Sequence, residues 1–475
     1  MGHGMLYSMT AMEPPSLPRL VLVLLALLLL SFLARRSRPS RSPTTPPKPS
    51  LGATSTIKHE DASNPGRPAI EPLNDLDWAS TSPAVFRPFK PVYHITMAIQ
   101  ATTPSELIAV DRNYLDRVTS RRRLISVHGP AVAGLLPTAR AARAVGDLYA
   151  YLLGHYLPRR FPSMFELVAT APPEDERPWP PPSPPDLREN QEKQTTKAVL
   201  FHNKVARRRF PLNPPPADPL EMLRILGETV EDDLFLLLRD PPDDDDNNND
   251  AAAHDDSSSN NNKNNHGSSG QHRAVAFVCC HPSGFDPSEK LGKRLVDIHG
   301  PVPGYEKIQA SMERFFGRLE VGRPVKRVNW GIQTHPDLHA PASHRAAPRE
   351  PSSPATSESE EPQGQAKENA AKTEPDLDVR NSHLRVELQT VTRLPRSGSN
   401  DDDKGLGHDN SGQGPILFSF KTHLYPLTAL RAEGHGPALA DAIEGLRHGN
   451  APGMWEYKGA ERWGRGLCEF LRSSA

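Results

Sequence analysis

A tract of Asp, Asn and Ser residues at positions 241–272 limits how this chain of 475 residues can fold. Polar residues of this kind cannot form a packed core, so the tract has to lie outside one. Two further stretches share this property: 341–379 is rich in Pro, Ser, Glu and Ala, and 398–414 in Gly, Asp and Asn. Segments with helix or strand patterns flank all three, which indicates disordered surface-loop insertions within one domain. Their removal leaves roughly 300 residues from Phe86 onward, enough for a single large core.

Composition and charge narrow the classes of protein further. The hydrophobic fraction is 36%, below the roughly 45–50% of ordinary globular chains, so a large part of the sequence lies outside a core. A formal net charge of −1 gives no electrostatic reason to expect a nucleic-acid partner. The cysteines are Cys279, Cys280 and Cys468. Adjacent cysteines rarely pair with each other, so the sequence predicts no disulfide framework and favours a reducing compartment.

The apolar run LVLVLLALLLLSFLA at 20–34 predicts a transmembrane anchor. A helix of this length would span about 22 Å, which is short for a membrane helix. A cleaved signal peptide is the alternative interpretation. Cleavage after Ala34 would place Phe32 at the −3 position, where signal peptides carry a small residue. We therefore favour an uncleaved anchor.

Basic residues flank this anchor unequally. Arg35, Arg36 and Arg38 follow it, whereas Arg19 alone precedes it closely. The excess of positive charge after the anchor predicts that the following chain faces the cytosol, and we expect the endoplasmic reticulum as the membrane. Residues 1–19 then form an N-terminal tail. The Pro-, Ser- and Thr-rich residues 35–85 form a disordered tether.

Residue periodicity predicts an α+β domain over 86–475, with helices enclosing a mostly antiparallel sheet. Helical spacing is present over 105–124, 138–156, 219–238 (running into a strand), 311–319 and 437–446, with a turn or short helix over 287–297. Strand alternation or a short apolar run is present over 198–205, 274–280, 324–333, 384–394 and 416–424. The second helix is expected to stop at Pro158.

Common catalytic and cofactor fingerprints are absent from the sequence. It contains no G-x-G-x-x-G, no P-loop, no H-E-x-x-H, no G-x-S-x-G and no C-x-x-C-H string. Dinucleotide, P-loop nucleotide, zincin, α/β-hydrolase and covalent-haem sites of the usual kinds therefore have no support. Any chemistry has to come from a less common arrangement.

The string VDIHGPVPGY at 296–305 contains the first candidate residue, His299. Proline fixes φ and glycine permits the close approach of another group, so this imidazole is expected on a stiff loop. A fixed imidazole suits a metal ligand or a catalytic base. The alternative is a histidine that only hydrogen bonds to backbone in a tight turn. The residues by themselves leave both interpretations open.

Two predicted strands carry the other candidate residues. Strand alternation places Arg327 and Asn329 on one face, and places Glu387 and Gln389 on one face of the next strand, which also carries Arg393. Polar side chains that point inward would form a site. If they point outward, they belong to an ordinary solvated sheet. Periodicity does not distinguish the two.

Eight strings, in order along the predicted domain, share the features of one family. They are FRPFKPVYHITMAI (86–99), RRRL (121–124), LPRRFPSMFEL (157–167), FPLNPPPADPLEMLRILGETVEDDLFLL (210–237), HPSGFDPSEKLGKRLVDIHGPVPGYEK (281–307), MERFFGRLEVGRPVKRVNWGIQT (312–334), LRVELQTVTRLPRSG (384–398) and ILFSFKTHLYPL (416–427). Together they resemble the haem-dependent oxidative N-demethylase-like proteins. The resemblance covers nearly all of the predicted domain, apart from the three insertions.

This resemblance implies a PAS-like fold that binds haem b. It also implies oxygen-dependent removal of a methyl group from a small secondary amine, with release of formaldehyde. Electrons would come from NADPH through a redox partner with flavin and iron–sulfur groups, since the chain has no such module of its own. The expected partners are thus a small amine, dioxygen, a redox protein and, through the anchor, a membrane.

The resemblance also implies roles for the candidate residues. His299 would be the axial ligand of the haem iron. Arg327, Asn329 and Arg393 would bind the haem propionates or the bound oxygen. Glu387 and Gln389 would meet the amine, because a cation requires a carboxylate partner.

Two alternatives stay open beside this hypothesis. One is a non-catalytic haem or small-ligand sensor on the same PAS-like fold. The other is an anchored glycosyltransferase, suggested by the short anchor, the Pro- and Ser-rich tether and the acidic run 243–246. That run lies in low-complexity sequence, and the basic flank predicts the wrong side of the membrane. The glycosyltransferase is thus the weaker of the two.

Overall fold

The computed structural model of this protein describes residues 68–87, 89–169, 198–240, 271–341, 378–396 and 414–473. All of these residues belong to one compact unit, Glu60–Ala475. The predicted anchor and most of the three predicted insertions lie outside the described residues. No helix in the described ranges is long and apolar enough to cross a membrane. The anchor therefore stays a prediction.

The strands of the described residues form a seven-stranded and a three-stranded sheet. They are β1 Gln100–Ala101, β2 Ala133–Leu135, β3 Phe165–Ala169, β4 Val199–Asn203, β5 Arg208–Asn213, β6 Asp233–Arg239, β7 His272–Val278, β8 Val325–Gln333, β9 His383–Arg393 and β10 Ile416–Pro426. The order is β1-β8-β9-β10-β6-β7-β2 in the large sheet and β3-β4-β5 in the small one. The pairings are antiparallel. This confirms the predicted α+β class, while a PAS-like topology stays a prediction.

The α-helices in the described ranges are α1 Tyr114–His128, α2 Ala139–Tyr151, α3 Leu157–Arg160, α4 Pro219–Thr229, α5 Leu295–His299, α6 Gln309–Arg318, α7 Leu427–Ala432, α8 Gly436–Glu444, α9 Met454–Tyr457 and α10 Ala460–Arg472. Two predicted boundaries were wrong. The first helix begins at Tyr114, after a separate 3₁₀ turn at Pro104–Glu106. The second continues through a π-helical turn, Leu152–Tyr156, into α3. Pro158 does not stop it, because this proline opens the last helical segment, where an amide hydrogen is not required.

The two faces of the seven-stranded sheet pack against different layers, as residues of β6 show. Leu234 and Leu236 join the main core, together with apolar residues of α1, α2 and α4. Phe235 and Leu237 point to the opposite face, where Leu237 packs with residues of α5 and α6. A further cluster joins the C-terminal helices to Leu384 of β9 and its neighbours. The face of Phe235 is the one that carries the candidate site.

Residues 68–85, which the sequence assigned to the tether, pack on the domain. Ile70, Leu76 and Trp78 contact the main core, and the Leu73 amide donates to the Arg160 carbonyl at 2.8 Å. The folded part of the chain therefore begins before Phe86. Apolar residues here stand singly between prolines and polar residues, so they form no periodic pattern that would predict an element.

Candidate functional site

A cavity of about 370 Å³ opens on the Phe235 face of the large sheet. This volume is within the range of roughly 300–1,000 Å³ that small-molecule and cofactor sites occupy. One part of its wall is aromatic, with Phe235 from β6 and Phe418 and Phe420 from β10. Residues of α5, α6 and the segment 93–99 line other parts. The cavity is thus formed by parts of the chain that lie far apart in sequence.

His299 lines this cavity at the end of α5. Its Nδ1 lies 2.9 Å from the Leu295 carbonyl oxygen. Because a carbonyl only accepts, Nδ1 is the protonated nitrogen and Nε2 keeps its lone pair. The ring stacks on Tyr305, with centroids 5.2 Å apart and planes 16° from parallel. Burial lowers the pKa of His299, and the positive charges of Arg327 and Lys290 add to the effect. The result is a neutral, oriented imidazole.

The backbone after His299 explains the Gly-Pro-Val-Pro-Gly string. His299 ends a short helix, not a loop as the sequence suggested, and its carbonyl accepts from the Val302 amide at 2.8 Å. Gly304 has φ +78°, and a Cβ there would lie 3.1 Å from Ile95 and 3.2 Å from Ala451. Glycine is therefore required both for the left-handed conformation and for the close approach of its neighbours.

Four of the predicted polar residues come together on the cavity wall. In the register of β8 and β9, Arg327 lies opposite Gln389 and Asn329 lies opposite Glu387. All four side chains belong to the cavity lining. The Glu387 side chain is only 12% exposed. The structure thus favours the inward-facing interpretation of these strands over the solvated one.

The carboxylate of Glu387 is held on one side by two amides. Asn329 Nδ2 donates to Glu387 Oε2 at 3.2 Å, and Gln389 Nε2 donates to the same oxygen at 3.0 Å. A carboxylate oxygen accepts about two hydrogen bonds, so Oε2 is fully used. Oε1 accepts no hydrogen bond in the described part of the chain. Its nearest cationic neighbour is Arg385 Nε, at 3.8 Å. Oε1 is therefore the atom that can meet a cationic ligand.

Arg327 supplies a positive charge to the same wall. Its side chain is half-buried, and its Nε is buried with no hydrogen-bond partner among the described residues. Burial lowers the pKa of its guanidinium, while electrostatic interactions with Tyr93 and Glu387 raise it. Arginine nevertheless stays protonated in proteins. A guanidinium in this position suits an anionic carboxylate, which it can bind with two parallel hydrogen bonds.

Arg393 is not brought to the cavity with the other predicted residues. Its guanidinium is buried and donates to three backbone carbonyls: Leu319 at 2.6 Å, Gly414 at 2.7 Å and Phe316 at 2.7 Å. These bonds tie the end of β9 to the end of α6. Arg393 therefore has a structural role in the fold, and we do not include it in the proposed site.

Arg385 lines the cavity beside Glu387, although it was not among the predicted residues. It precedes Glu387 by two positions in β9, so both side chains leave the same face of the sheet. The spacing Arg385-x-Glu387-x-Gln389 was the signal in the sequence. Alternation places Arg385 on the same face as Glu387 and Gln389. It does not tell whether that face lines a cavity, so Arg385 was not selected as a candidate.

The residues present fit a haem group. Apolar and aromatic walls suit the macrocycle of haem. A neutral imidazole with a free lone pair is one of the ligands that haem iron takes in proteins, and a cation suits the propionates. Phe235 and Phe418, His299 and Arg327 offer these features in one cavity. Among the described residues, no three His, Cys, Asp or Glu side chains cluster as a metal site. A single imidazole suits haem iron, because the porphyrin supplies most of the other ligands.

A comparison with protein-family models gives an independent finding. The model for the haem-dependent oxidative N-demethylase, alpha subunit-like family matches residues 98–400 and 411–468. The match spans most of the chain and includes His299, Arg327, Arg385 and Glu387. It confirms the resemblance that the eight strings indicated.

Proposed function

Because this chain belongs to the haem-dependent oxidative N-demethylase, alpha subunit-like family, we propose that it binds haem b in the cavity beside His299 and demethylates a small secondary amine. The observation that carries this proposal is the orientation of the His299 side chain on the cavity wall. Its Nδ1 is bound to the Leu295 carbonyl at 2.9 Å, so its neutral Nε2 is available to iron on the cavity wall.

Three groups of residues would hold the haem. His299 Nε2 would bind the haem iron, and the stacked ring of Tyr305 would hold the imidazole in its orientation. Arg327 would bind a propionate through its guanidinium. Phe235 and Phe418 would pack against the apolar part of the macrocycle. When bound, haem supplies the site at which dioxygen is reduced and activated.

Glu387 would recognise the amine. A protonated secondary amine has two N–H donors, and Glu387 Oε1 would accept one of them while Asn329 and Gln389 hold Oε2. The reaction balances as secondary amine plus O₂, two electrons and two protons, giving primary amine, formaldehyde and water. The electrons would come from NADPH through a separate redox partner with flavin and iron–sulfur groups. The aromatic wall would limit access of bulk water to the site.

Membrane attachment is a separate proposal, supported by the apolar run 20–34 and the basic residues that follow it. Alkaline carbonate extraction of membranes from cells that express the full chain would test it. We expect the protein to stay with the membrane pellet. Release into the supernatant would refute an anchor.

Formaldehyde release tests the demethylase activity. The haem-loaded full chain would receive dimethylamine, oxygen, NADPH and a flavin–iron–sulfur reductase. We expect about one formaldehyde for each NADPH oxidised in a coupled reaction, and none from the haem-free chain. Haem binding without formaldehyde from this or other N-methyl amines would refute the demethylase and leave the haem-sensor alternative.

A further inference from the structure

Arg385 stands at the edge of the candidate site and is almost completely buried. Its side chain is 3% exposed, and its Nε lies 3.8 Å from Glu387 Oε1. The two residues share a strand face in β9, and both line the cavity. The carboxylate of Glu387 thus lies between two amides on its Oε2 side and a guanidinium on its Oε1 side.

The guanidinium of Arg385 is fixed by groups from several elements. Nη1 donates to Gln333 Oε1 and to the Leu338 carbonyl, each at 3.1 Å. Nη2 donates to the His281 carbonyl and, at 3.4 Å, to Thr422 Oγ1. These partners come from β8, β10 and the segments that follow β7 and β8. The guanidinium therefore cannot turn away from Glu387 without breaking bonds to all of them.

The Nε of Arg385 differs from its other nitrogens. It is buried and has no hydrogen-bond partner among the described residues, and Glu387 Oε1 is the carboxylate oxygen that it approaches. A buried charge without a counter-charge is strongly unfavourable. The pair therefore offsets the cost of burying both charges, while the long distance leaves Oε1 free to accept a hydrogen bond from a ligand.

We propose that Arg385 is a positioning residue, which holds the Glu387 carboxylate so that Oε1 faces a cation in the cavity. This inference rests on the proposed function only for the identity of that cation, a protonated amine. Arg385 does not touch the ligand itself. It acts through Glu387.

Arg393 provides a matched control on the same strand. It is also a buried arginine whose guanidinium donates to backbone carbonyls, and it lies an even number of residues from Arg385. The carbonyls that it binds belong to the end of α6 and to the segment before β10, and Arg393 lies six residues from Glu387 along β9. An R393Q variant thus removes a comparable buried guanidinium without disturbing the carboxylate.

The experiment compares R385Q, R385K and R393Q in the full chain by two measurements. The first is the crystallographic position of the Glu387 carboxylate. We expect it to move by about 1 Å or more in R385Q, by less in R385K, and to stay in place in R393Q. An unmoved carboxylate in R385Q would overturn the proposal. If R385Q does not fold, R385K gives the test. Lysine has a methylene group in place of the arginine Nε–H, so the carboxylate should still move, and an unmoved carboxylate in R385K would overturn the proposal.

The second measurement is the ratio of dissociation constants for dimethyl ether and dimethylammonium, from absorbance titrations of the haem-loaded chain. The ether has a similar shape without the charge. We expect R385Q to reduce this selectivity roughly tenfold or more, R385K to restore part of it, and R393Q to keep it. Equal selectivity in R385Q and R393Q would also overturn the proposal. If Glu387 moves in R385Q while the wild type shows no preference for the ammonium, the proposed amine substrate fails and the positioning role stands.

Discussion

Charged side chains are buried both beside the main core and on the cavity wall, and their ion pairs differ between these two regions. Beside the main core, Arg121 contacts Asp233 at 2.5 Å, and Lys421 contacts Asp111 at 2.8 Å and Glu231 at 2.7 Å. On the cavity wall, Glu387 Oε1 and Arg385 Nε are 3.8 Å apart. Arg327 forms no ion pair within 4 Å in the described ranges. Lys421 follows the cavity-lining Phe420 in β10, so it points away from the cavity.

This contrast distinguishes a structural ion network from a ligand site. Short ion pairs surrounded by packed side chains have no capacity left for a ligand. Charged groups beside a cavity that form only a long ion pair, or none, can still bind a ligand. The polar wall at Glu387 is of this kind. Loss of a charge should therefore affect stability in the first region and ligand binding in the second.

The largest effect is expected for Asp233→Ala. The Asp233 carboxylate accepts from Arg121, and also from the amides of Cys280 at 2.7 Å and His281 at 2.9 Å. Its removal leaves a buried guanidinium without a counter-charge, which costs about 3–5 kcal/mol. Urea unfolding at neutral pH measures the loss. A change under about 1 kcal/mol would contradict the structural role of this network.

A smaller loss of stability, together with a loss of binding, is expected for Glu387→Gln. The amide is similar in shape but has no charge, so the affinity for dimethylammonium should fall roughly 10- to 100-fold, since hydrogen bonds to charged groups are worth about 1.5–3 kcal/mol. Absorbance titration of the haem-loaded chain gives the affinity. The free energy of unfolding should fall by less than the about 3–5 kcal/mol expected for Asp233→Ala, because the contact between Glu387 and Arg385 is long, at 3.8 Å. Unchanged affinity would remove Glu387 from the site.

The smallest effect concerns the pH dependence of stability near the ion network. Burial and the charge of Lys421 lower the pKa of His423 from 6.5 to about 4. The folded state thus binds this proton less well than the unfolded state does. The stability contributed by neutral His423 is complete above pH 6.5 and is lost as the pH falls from there toward 4. At pH 5.5 the loss is about 1 kcal/mol.

Replacement of His423 by Phe isolates this contribution. The ring lies between Phe86 and Tyr425, with centroids 5.2 and 6.3 Å away, so an aromatic residue suits the position. We expect the variant to lose about 1 kcal/mol less stability than the wild type between pH 7.5 and pH 5.5. Parallel stability curves for the two proteins would refute a buried, neutral His423.

Sequence alternation predicted the strands of the site well, because a period of two is a local property. Arg327 and Asn329 share a face, as do Glu387 and Gln389, and the register of β8 and β9 brings the pairs opposite each other. Which face is covered depends on α5 and α6, which precede these strands and pack on them through tertiary contacts. Periodicity cannot report such contacts, so the inward orientation was left open.

The two arginines of β9 illustrate the same limit. Arg393 and Arg385 stand on one face of one strand, yet only Arg385 reaches the cavity. The end of α6 covers Arg393 and satisfies it through the carbonyls of Phe316 and Leu319. No local sequence pattern distinguishes a residue that a helix end covers from a residue that lines a cavity. The packing of residues 68–85 was missed for a related reason, since its anchors, such as Trp78, are isolated along the chain.

The proposed haem site depends most on the binding of iron by His299. The direct test is the absorption spectrum of the haem-reconstituted full chain, compared with that of its His299→Ala variant. We predict a Soret band in the wild type that shifts or weakens in the variant, because the variant has lost the imidazole on the cavity wall. A wild type without a Soret band would contradict haem binding, and an unchanged band in the variant would contradict the assignment of His299.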